Sequence, residues 1–124
     1  TLGEGRVAEA EAEDCIFCKI AGGAFGTAFV AENDDAVAFR DVQPQAPVHV
    51  LVVPRRHVPA LRDLGPEDRD LAASLLALAA DVAASEGLRA GGYRVLTNDG
   101  ADAGQTVHHL HFHVLGGRAL GALG

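Results

Sequence analysis

The sequence predicts an α+β fold in which one long helix and a short N-terminal helix cover an antiparallel sheet of about five strands. Apolar, β-branched runs are short and separated by turns, only one stretch has extended helical periodicity, and strands and helices do not alternate regularly. With 124 residues, 48% of them hydrophobic, the chain has the size and the apolar content of one domain. We therefore expect a single domain over 14–124, preceded by a flexible, acidic tail at 1–13.

The first half of the predicted domain contains a short helix and three strands. Residues 15–23 allow about two helical turns and end in two glycines, which are typical of a helix C-terminus. Ala28–Glu32 and Ala36–Arg40 are expected to form a hairpin around an Asn-Asp-Asp turn. Val48–Val53 is almost continuously apolar, which favours a strand covered on both faces.

The second half contains the long helix and two further strands. The helix is predicted over Asp63–Gly87, because four apolar residues fall on one stripe at helical spacing: Leu71, Leu75, Leu78 and Val82. Tyr93–Asn98 is predicted as a strand, followed by a glycine- and aspartate-rich turn at Asp99–Gly104. The last predicted strand is Val107–Leu115.

Alternating histidines in the last predicted strand are the strongest functional signal. His109, His111 and His113 would share one face, because alternate side chains of a strand point the same way. Leu110, Phe112 and Val114 would point into the core. Three imidazoles in a row are not a packing solution, so the pattern indicates chemistry.

Two kinds of chemistry fit this row of histidines. Histidines at i and i+2 can share a catalytic zinc ion. Alternatively, a neutral imidazole can act directly as a nucleophile near pH 7 while a second imidazole positions it. The turn that leads into the strand favours direct chemistry, since its backbone N–H groups and the Thr106 hydroxyl could hold phosphate oxygens.

Composition limits the partners. The formal net charge of −7 disfavours nucleic acid and leaves a mononucleotide as the more plausible phosphorylated ligand. No apolar run approaches the roughly 20 residues that span a bilayer, so no membrane association is expected. Cys15 and Cys18 would enclose too small a loop for a structural disulfide to be attractive. A reducing, cytoplasmic location is therefore predicted.

Several segments together resemble the histidine triad nucleotide-binding (HIT) family, and in finer detail its Hint branch of purine nucleoside phosphoramidases. The triad segment is Gly-Gln-Thr-Val-His-His-Leu-His-Phe-His-Val-Leu-Gly-Gly-Arg. Further segments match in order, at 15–20, 38–49, 52–57 and 92–94. The resemblance covers roughly residues 15–118.

The resemblance implies roles for the histidines. His111 would attack the α-phosphorus and form a nucleotidyl-histidine intermediate. His113 would contact the phosphate, and His109 would orient its neighbours with help from His49. His108, by its position in the strand, is expected to face away from the triad and to have no catalytic role.

The resemblance also implies a nucleotide site and a metal site. Asp41 would bind the ribose, and Phe17, Phe25 and Val42 would enclose the base. The phosphate would lie near Asn98, Gly104, Gln105, Thr106 and Val107. A structural zinc ion would be held by Cys15, Cys18, His57 and His109, a sound tetrahedral donor set. No organic cofactor is expected.

The resemblance predicts hydrolysis of a purine nucleoside phosphoramidate by a homodimer whose interface involves the long helix and Tyr93–Asn98. Three alternatives remain open at this point. They are cleavage of dinucleoside polyphosphates, a zinc-stabilised nucleotide-binding module with little catalysis, and a metallohydrolase with zinc on the triad. The leaving group is left open, because the end of the sequence, Ala119–Gly124, lacks the tryptophan seen in some Hint enzymes.

Overall fold

The structure of the protein is a computed structural model that describes residues 14–124, so the tail predicted at 1–13 lies outside the described residues. Seven regular elements follow along the chain: α1 Ile16–Ala21, β1 Ala31–Glu32, β2 Ala36–Arg40, β3 Val48–Pro54, α2 Arg69–Ser85, β4 Tyr93–Leu96 and β5 Phe112–Gly116. Within the described residues, no helix is long and apolar enough to cross a membrane.

All five strands form one antiparallel sheet, in the order β1-β2-β3-β5-β4. The predicted fold class is therefore confirmed: five strands, one long helix and a short N-terminal helix. Strand β5 is inserted between β3 and β4, and its register pairs Leu51 with His113 and His49 with Leu115. This pairing brings the histidine-rich end of the chain next to His49.

The two faces of the sheet belong to two different apolar clusters. Even-numbered residues of β3, Val50 and Val52, pack in the cluster that contains Leu75, Leu78 and Val82 of α2. The odd-numbered residues of the same strand face the other way and pack with α1: Leu51 and Val53 cluster with Phe17 and Ala21. Because both faces are covered, β3 is almost entirely buried, as its continuous apolar run predicts.

The last strand is shorter than predicted. It begins at Phe112 rather than at Val107. Part of the reason is visible at Leu110, whose backbone N–H donates to the carbonyl of Val58 (2.6 Å) instead of to a neighbouring strand. Leu110 and Val114 nevertheless share one core cluster, so the predicted inward face is retained.

Several other element boundaries differ from the prediction. Strand β1 is only two residues long, and β4 ends at Leu96 rather than at Asn98. Helix α2 begins at Arg69, after two short 3-10 turns at Leu61–Asp63 and Pro66–Asp68. The late helix start follows from local bonding, since the Asp68 carboxylate accepts from the Gly65 N–H (2.9 Å) just before the helix.

Candidate active site

A cleft of about 540 Å³ lies on the side of the sheet that α1 covers. It is bounded by α1, the loop after β2, strand β3 and the segment that leads into β5. The residues that line it are Ile16, Phe17, Ile20, Thr27, Phe39, Arg40, Asp41, Val42, Gln43, Gln45, His49, Leu51, Thr106, Val107, His111 and His113. The cleft therefore combines an apolar half with a group of three histidines.

His111 presents its Nε2 atom as the available lone pair. Its Nδ1 lies 2.7 Å from the carbonyl oxygen of His109, and a carbonyl can only accept, so Nδ1 carries the proton. In a neutral imidazole the proton is then absent from Nε2. The ring is buried between two aromatic neighbours, with centroid distances of 5.1 Å to Phe17 and 5.0 Å to His113.

A chain of hydrogen bonds assigns the opposite proton position to His113. The backbone N–H of Gln45 donates to His49 Nδ1 (3.0 Å), so the proton of neutral His49 is on Nε2. His49 Nε2 in turn donates to His113 Nδ1 (2.8 Å). His113 therefore carries its proton on Nε2, a buried atom that has no hydrogen-bond partner within the described residues. Since His113 lines the cleft, this N–H is available to donate to a bound ligand.

Burial keeps both rings of this pair neutral. Desolvation, reinforced by the nearby His111 and His49, lowers the pKa of His113 to about 4. Burial also lowers the pKa of His49, although the Asp41 carboxylate opposes the change. At neutral pH the hydrogen-bond chain therefore consists of uncharged imidazoles with fixed proton positions.

His49 acts on the triad through His113. The resemblance gives His49 a supporting role in orienting the triad, and in the structure it contacts His113, at a centroid distance of 5.1 Å. The register explains this, because His49 lies opposite Leu115 and His113 opposite Leu51, which makes the two histidines diagonal neighbours on one face. His109 precedes β5 and acts on its neighbour through its main-chain carbonyl.

Asp41 and Phe17, to which the resemblance assigns the ribose and the base, both line the cleft. One Asp41 oxygen accepts from the Gln43 N–H (2.9 Å), and the other lies 3.4 Å from His49 Nε2. Phe17 packs edge-on against Phe39, with ring centroids 5.6 Å apart. Val42 belongs to the cleft but is 94% exposed, so it forms the rim.

The predicted phosphate-side residues divide into two groups. Thr106 and Val107 line the cleft, whereas Asn98, Gly104 and Gln105 are not among its lining residues. The Gln105 side-chain amide bonds to main-chain groups: it accepts from the Gly100 N–H (3.0 Å) and donates to the carbonyls of Pro59 (2.8 Å) and Val107 (3.1 Å). Its bonds therefore hold the loop beside Thr106.

Two further expectations concern side chains that point to solvent. Phe25 is 57% exposed and does not line the cleft, so the structure does not bring it to the predicted base pocket. His108, which is expected to face away from the triad, is exposed and is not among the residues that line the cleft.

Other residues of the cleft were not anticipated from the sequence. The place of Leu51 in the cleft could have been predicted, because it lies two residues from His49 on the same strand face. The same holds for Ile16 and Ile20, since residues four apart lie on one side of a helix. The role of the Gln45 backbone N–H could not have been predicted, because it depends on how the loop folds back.

Beside the cleft, two cysteines and two histidines form a second cluster. The ligand atoms of Cys15, Cys18, His57 and His109 all lie within 4.8 Å of one another. His109 Nδ1 is 3.2 Å from Cys15 Sγ and 3.3 Å from Cys18 Sγ, and His57 Nδ1 is 3.2 Å from Cys18 Sγ. Two thiols and two imidazoles at this spacing could hold a tetrahedral zinc ion.

The tautomer of His109 is suited to metal binding. Its Nε2 donates to the carbonyl of Pro54 (2.9 Å), which leaves the lone pair on Nδ1 facing the sulfurs. Burial lowers the pKa of His109 to about 4, so the lone pair is free of a proton at neutral pH. Burial, with Cys15 as neighbour, raises the pKa of Cys18 to about 12, so a metal ion would have to displace the thiol proton.

Asp41, His49 and His113 form another group with closely spaced ligand atoms. Metal binding here is disfavoured by the proton positions. The Gln45 N–H occupies the Nδ1 lone pair of His49, so a metal on Nε2 would require an imidazolate. This argument disfavours the sequence-based alternative of a zinc ion on the triad, in so far as it would use His49 and His113.

Comparisons with known proteins bear on the family of this chain. The family model described as HIT domain matches residues 25–120. An uncharacterized HIT-like protein from Synechocystis sp. is 50% identical over 107 residues, which cover 86% of this chain and 93% of that protein. The purine nucleoside phosphoramidase of Escherichia coli K12 is 38% identical over 112 residues, covering 90% of this chain and 94% of the enzyme.

A solved structure of the same family also matches this chain. The crystal structure of a HIT family hydrolase from Legionella pneumophila superposes with a TM-score of 0.82 at 42% identity, and the match covers 86% of this chain and 95% of that one. The family resemblance inferred from the triad and its flanking segments is therefore confirmed. On the family model, the sequence identities and the shared fold, this chain belongs to the HIT domain family.

Proposed function

We propose that this protein hydrolyses purine nucleoside phosphoramidates through a covalent intermediate on His111. The observation that carries the proposal is the tautomer of His111, whose Nδ1–H is held by the His109 carbonyl so that the Nε2 lone pair is free in a nucleotide-sized cleft. The similarity to the Escherichia coli phosphoramidase supports this substrate class. The broader activity, hydrolysis by a HIT family protein, is supported also by the Legionella hydrolase.

The reaction proceeds in two displacements at the α-phosphorus. In the first, His111 Nε2 forms a bond to phosphorus as the bond from phosphorus to the amine nitrogen breaks, and the leaving nitrogen takes up a proton from solvent. In the second, water attacks the phosphorus and loses a proton, the bond to His111 breaks, and AMP is released. Dividing the reaction in this way replaces one difficult step by two easier ones.

The neighbouring groups stabilise the charge that develops on the phosphoryl oxygens. The His113 Nε2–H is a neutral donor with no partner within the described residues, on a ring that lines the cleft, and it would donate to a phosphoryl oxygen. The Thr106 hydroxyl lines the same region and supplies a second donor. Asp41 would accept hydrogen bonds from the ribose hydroxyls, and Phe17 would contact the base.

We also propose a structural zinc ion on Cys15, Cys18, His57 and His109. The compact donor set and the lone pair on His109 Nδ1 support this assignment. His109 would then serve both sites, because its ring binds the metal while its carbonyl orients His111.

Intact-protein mass spectrometry after brief exposure to adenosine 5′-phosphoramidate tests the proposed reaction. We expect an added adenylyl group that maps to His111 by peptide analysis. The variant His111→Ala should show no adduct and no turnover. His108→Ala is a matched control, since it removes an adjacent but exposed histidine and should react like the wild type.

Turnover by His111→Ala at the wild-type rate would disprove the nucleophile. If AMP binds while the phosphoramidate stays intact with the wild-type protein, the chain is a binding module rather than an enzyme. A dinucleoside polyphosphate is tested in parallel. If it formed the same adduct at a higher rate than the phosphoramidate, dinucleoside polyphosphates would be the preferred substrate class.

A further inference from the structure

The side chain of Arg118 reaches back from the end of β5 to the loop before β3. One guanidinium nitrogen donates to the carbonyl of Gln45 (2.8 Å), and another donates to the carbonyl of Ala119 (2.9 Å). The turn that aims the side chain is closely packed: Gly117 has φ +95°, and a Cβ there would lie 2.9 Å from Pro47 Cβ. Only glycine fits this position easily, so the approach of Arg118 to the loop is built into the backbone.

Gln45 links this contact to the histidines. Its carbonyl accepts from Arg118, while its N–H donates to His49 Nδ1 (3.0 Å). Pro44 and Pro47 flank Gln45, and neither has an N–H that could anchor the loop. The Gln45 side chain donates to the carbonyl of Gln43 (3.0 Å) within the same loop, so the bond to Arg118 is the contact that ties Gln45 to the end of β5.

The bond from Gln45 to His49 also determines where His113, in the cleft, carries its proton. As long as the Gln45 N–H occupies His49 Nδ1, the proton of His49 is on Nε2 and is donated to His113 Nδ1 (2.8 Å). The Nε2–H of His113, whose ring lines the cleft, is then left without an acceptor within the described residues. Without the Gln45 amide, the Nε2–H tautomer of His49 is favoured by the Asp41 carboxylate alone, 3.4 Å from Nε2, and the arrangement in which His113 presents a lone pair gains population.

We propose that Arg118 is a positioning residue that acts through Gln45 to fix the tautomers of His49 and His113. Its effect on catalysis rests on the proposed function, in which the His113 Nε2–H donates to the phosphate. The tautomers themselves can be measured without any substrate. The chain also offers a control, because Arg94 is a half-buried arginine that donates to a carbonyl near the C-terminus, that of Gly121 (3.0 Å), and not to Gln45.

The test compares Arg118→Gln with Arg94→Gln in the full chain by nitrogen-15 NMR of the imidazole rings at neutral pH. The wild type should show His49 and His113 each as a single Nε2–H tautomer. Arg118→Gln should shift the Nδ1 and Nε2 resonances of both rings towards each other, as expected for a tautomer mixture, whereas Arg94→Gln should leave them unchanged. Arg118→Lys keeps a donor and should restore much of the wild-type spectrum.

Kinetics with adenosine 5′-phosphoramidate give a second measurement. We expect kcat of Arg118→Gln to fall about three- to tenfold, the scale of one hydrogen bond, with the folding transition unchanged. The proposal would be overturned if the imidazole resonances of Arg118→Gln matched those of the wild type, or if Arg94→Gln shifted them by the same amount. If the wild type does not turn over, the proposed function fails while the NMR comparison still decides the role of Arg118.

Discussion

A histidine can be nucleophile or donor depending on which ring nitrogen carries the proton, and in this chain main-chain groups make that choice. The His109 carbonyl fixes the proton of His111 on Nδ1, and the Gln45 amide fixes that of His49 on Nε2. Carbonyls and amides do not titrate in the physiological range, so these assignments persist over the pH range in which the rings stay neutral. Two adjacent histidines of the cleft thereby acquire different chemical roles.

Burial of neutral His113 makes stability depend on pH. Its pKa is about 4 in the folded protein and about 6.5 in an unfolded chain. The unfolded chain therefore takes up the proton first as the pH falls. The stability is fully present above pH 6.5 and is lost progressively between pH 6.5 and pH 4, by at most about 3 kcal/mol for this one group.

We expect His113→Gln to reduce this pH dependence. The measurement is the free energy of unfolding from urea titrations between pH 4.5 and 7.5. The variant curve should be flatter than that of the wild type by up to one proton bound on unfolding. Parallel curves for the two proteins would mean that His113 titrates normally in the folded state.

At the scale of single elements, α1 shows how a short helix can be held in place. Its six residues are too few for stability in isolation. It is fixed by Phe17 and Ala21, which are buried against β3, and by Cys15, whose sulfur accepts from the Cys18 N–H at the helix start. Since Cys15 and Cys18 also face His109, a metal ion there would attach α1 to the histidine segment.

Zinc removal should therefore destabilise the protein. We expect one zinc ion per chain, and a chelator should lower the free energy of unfolding by about 3 kcal/mol relative to protein with free zinc at 100 times its Kd. As zinc is removed, the hydrogen exchange of backbone amides should increase first in α1. In Cys18→Ser, the free energy of unfolding should be the same in chelated and zinc-loaded samples. If the chelator did not change the stability of the wild type, the assignment would be contradicted.

The elements differ in how far the sequence determines them. β2 and β3 are predicted almost to the residue, because their apolar runs end at turn residues. The start of β5 could not be predicted, since Leu110 bonds to Val58, far away in sequence. For the same reason the triad positions follow from sequence spacing, whereas the partner of His49 depends on strand register and becomes visible only in the fold.

For the whole molecule, strand β4 leaves one edge of the sheet without a neighbour in the described chain. Tyr93 and Val95 of this strand are 41% and 36% exposed, and Val95 pairs with Val114, which faces α2. Leu76 of α2 is 54% exposed as well. We propose that this side forms the homodimer interface implied by the family resemblance, since an edge strand with apolar side chains is suited to pairing.

Light scattering coupled to size-exclusion chromatography tests the dimer. The wild type should elute with the mass of two chains, and Val95→Asp should give the mass of one. Val42→Asp makes the same change at an exposed residue of the cleft rim and should remain dimeric. A wild-type mass of one chain at all concentrations would rule out the interface.

Neighbouring residues of β3 face opposite sides of the sheet, odd positions towards the histidines and even positions towards α2. A substitution at His49 or Leu51 therefore changes the lining of the cleft, whereas one at Val50 or Val52 changes the packing against α2 and does not touch the cleft. Residues that shape the site and residues that hold the helix thus alternate along a single strand.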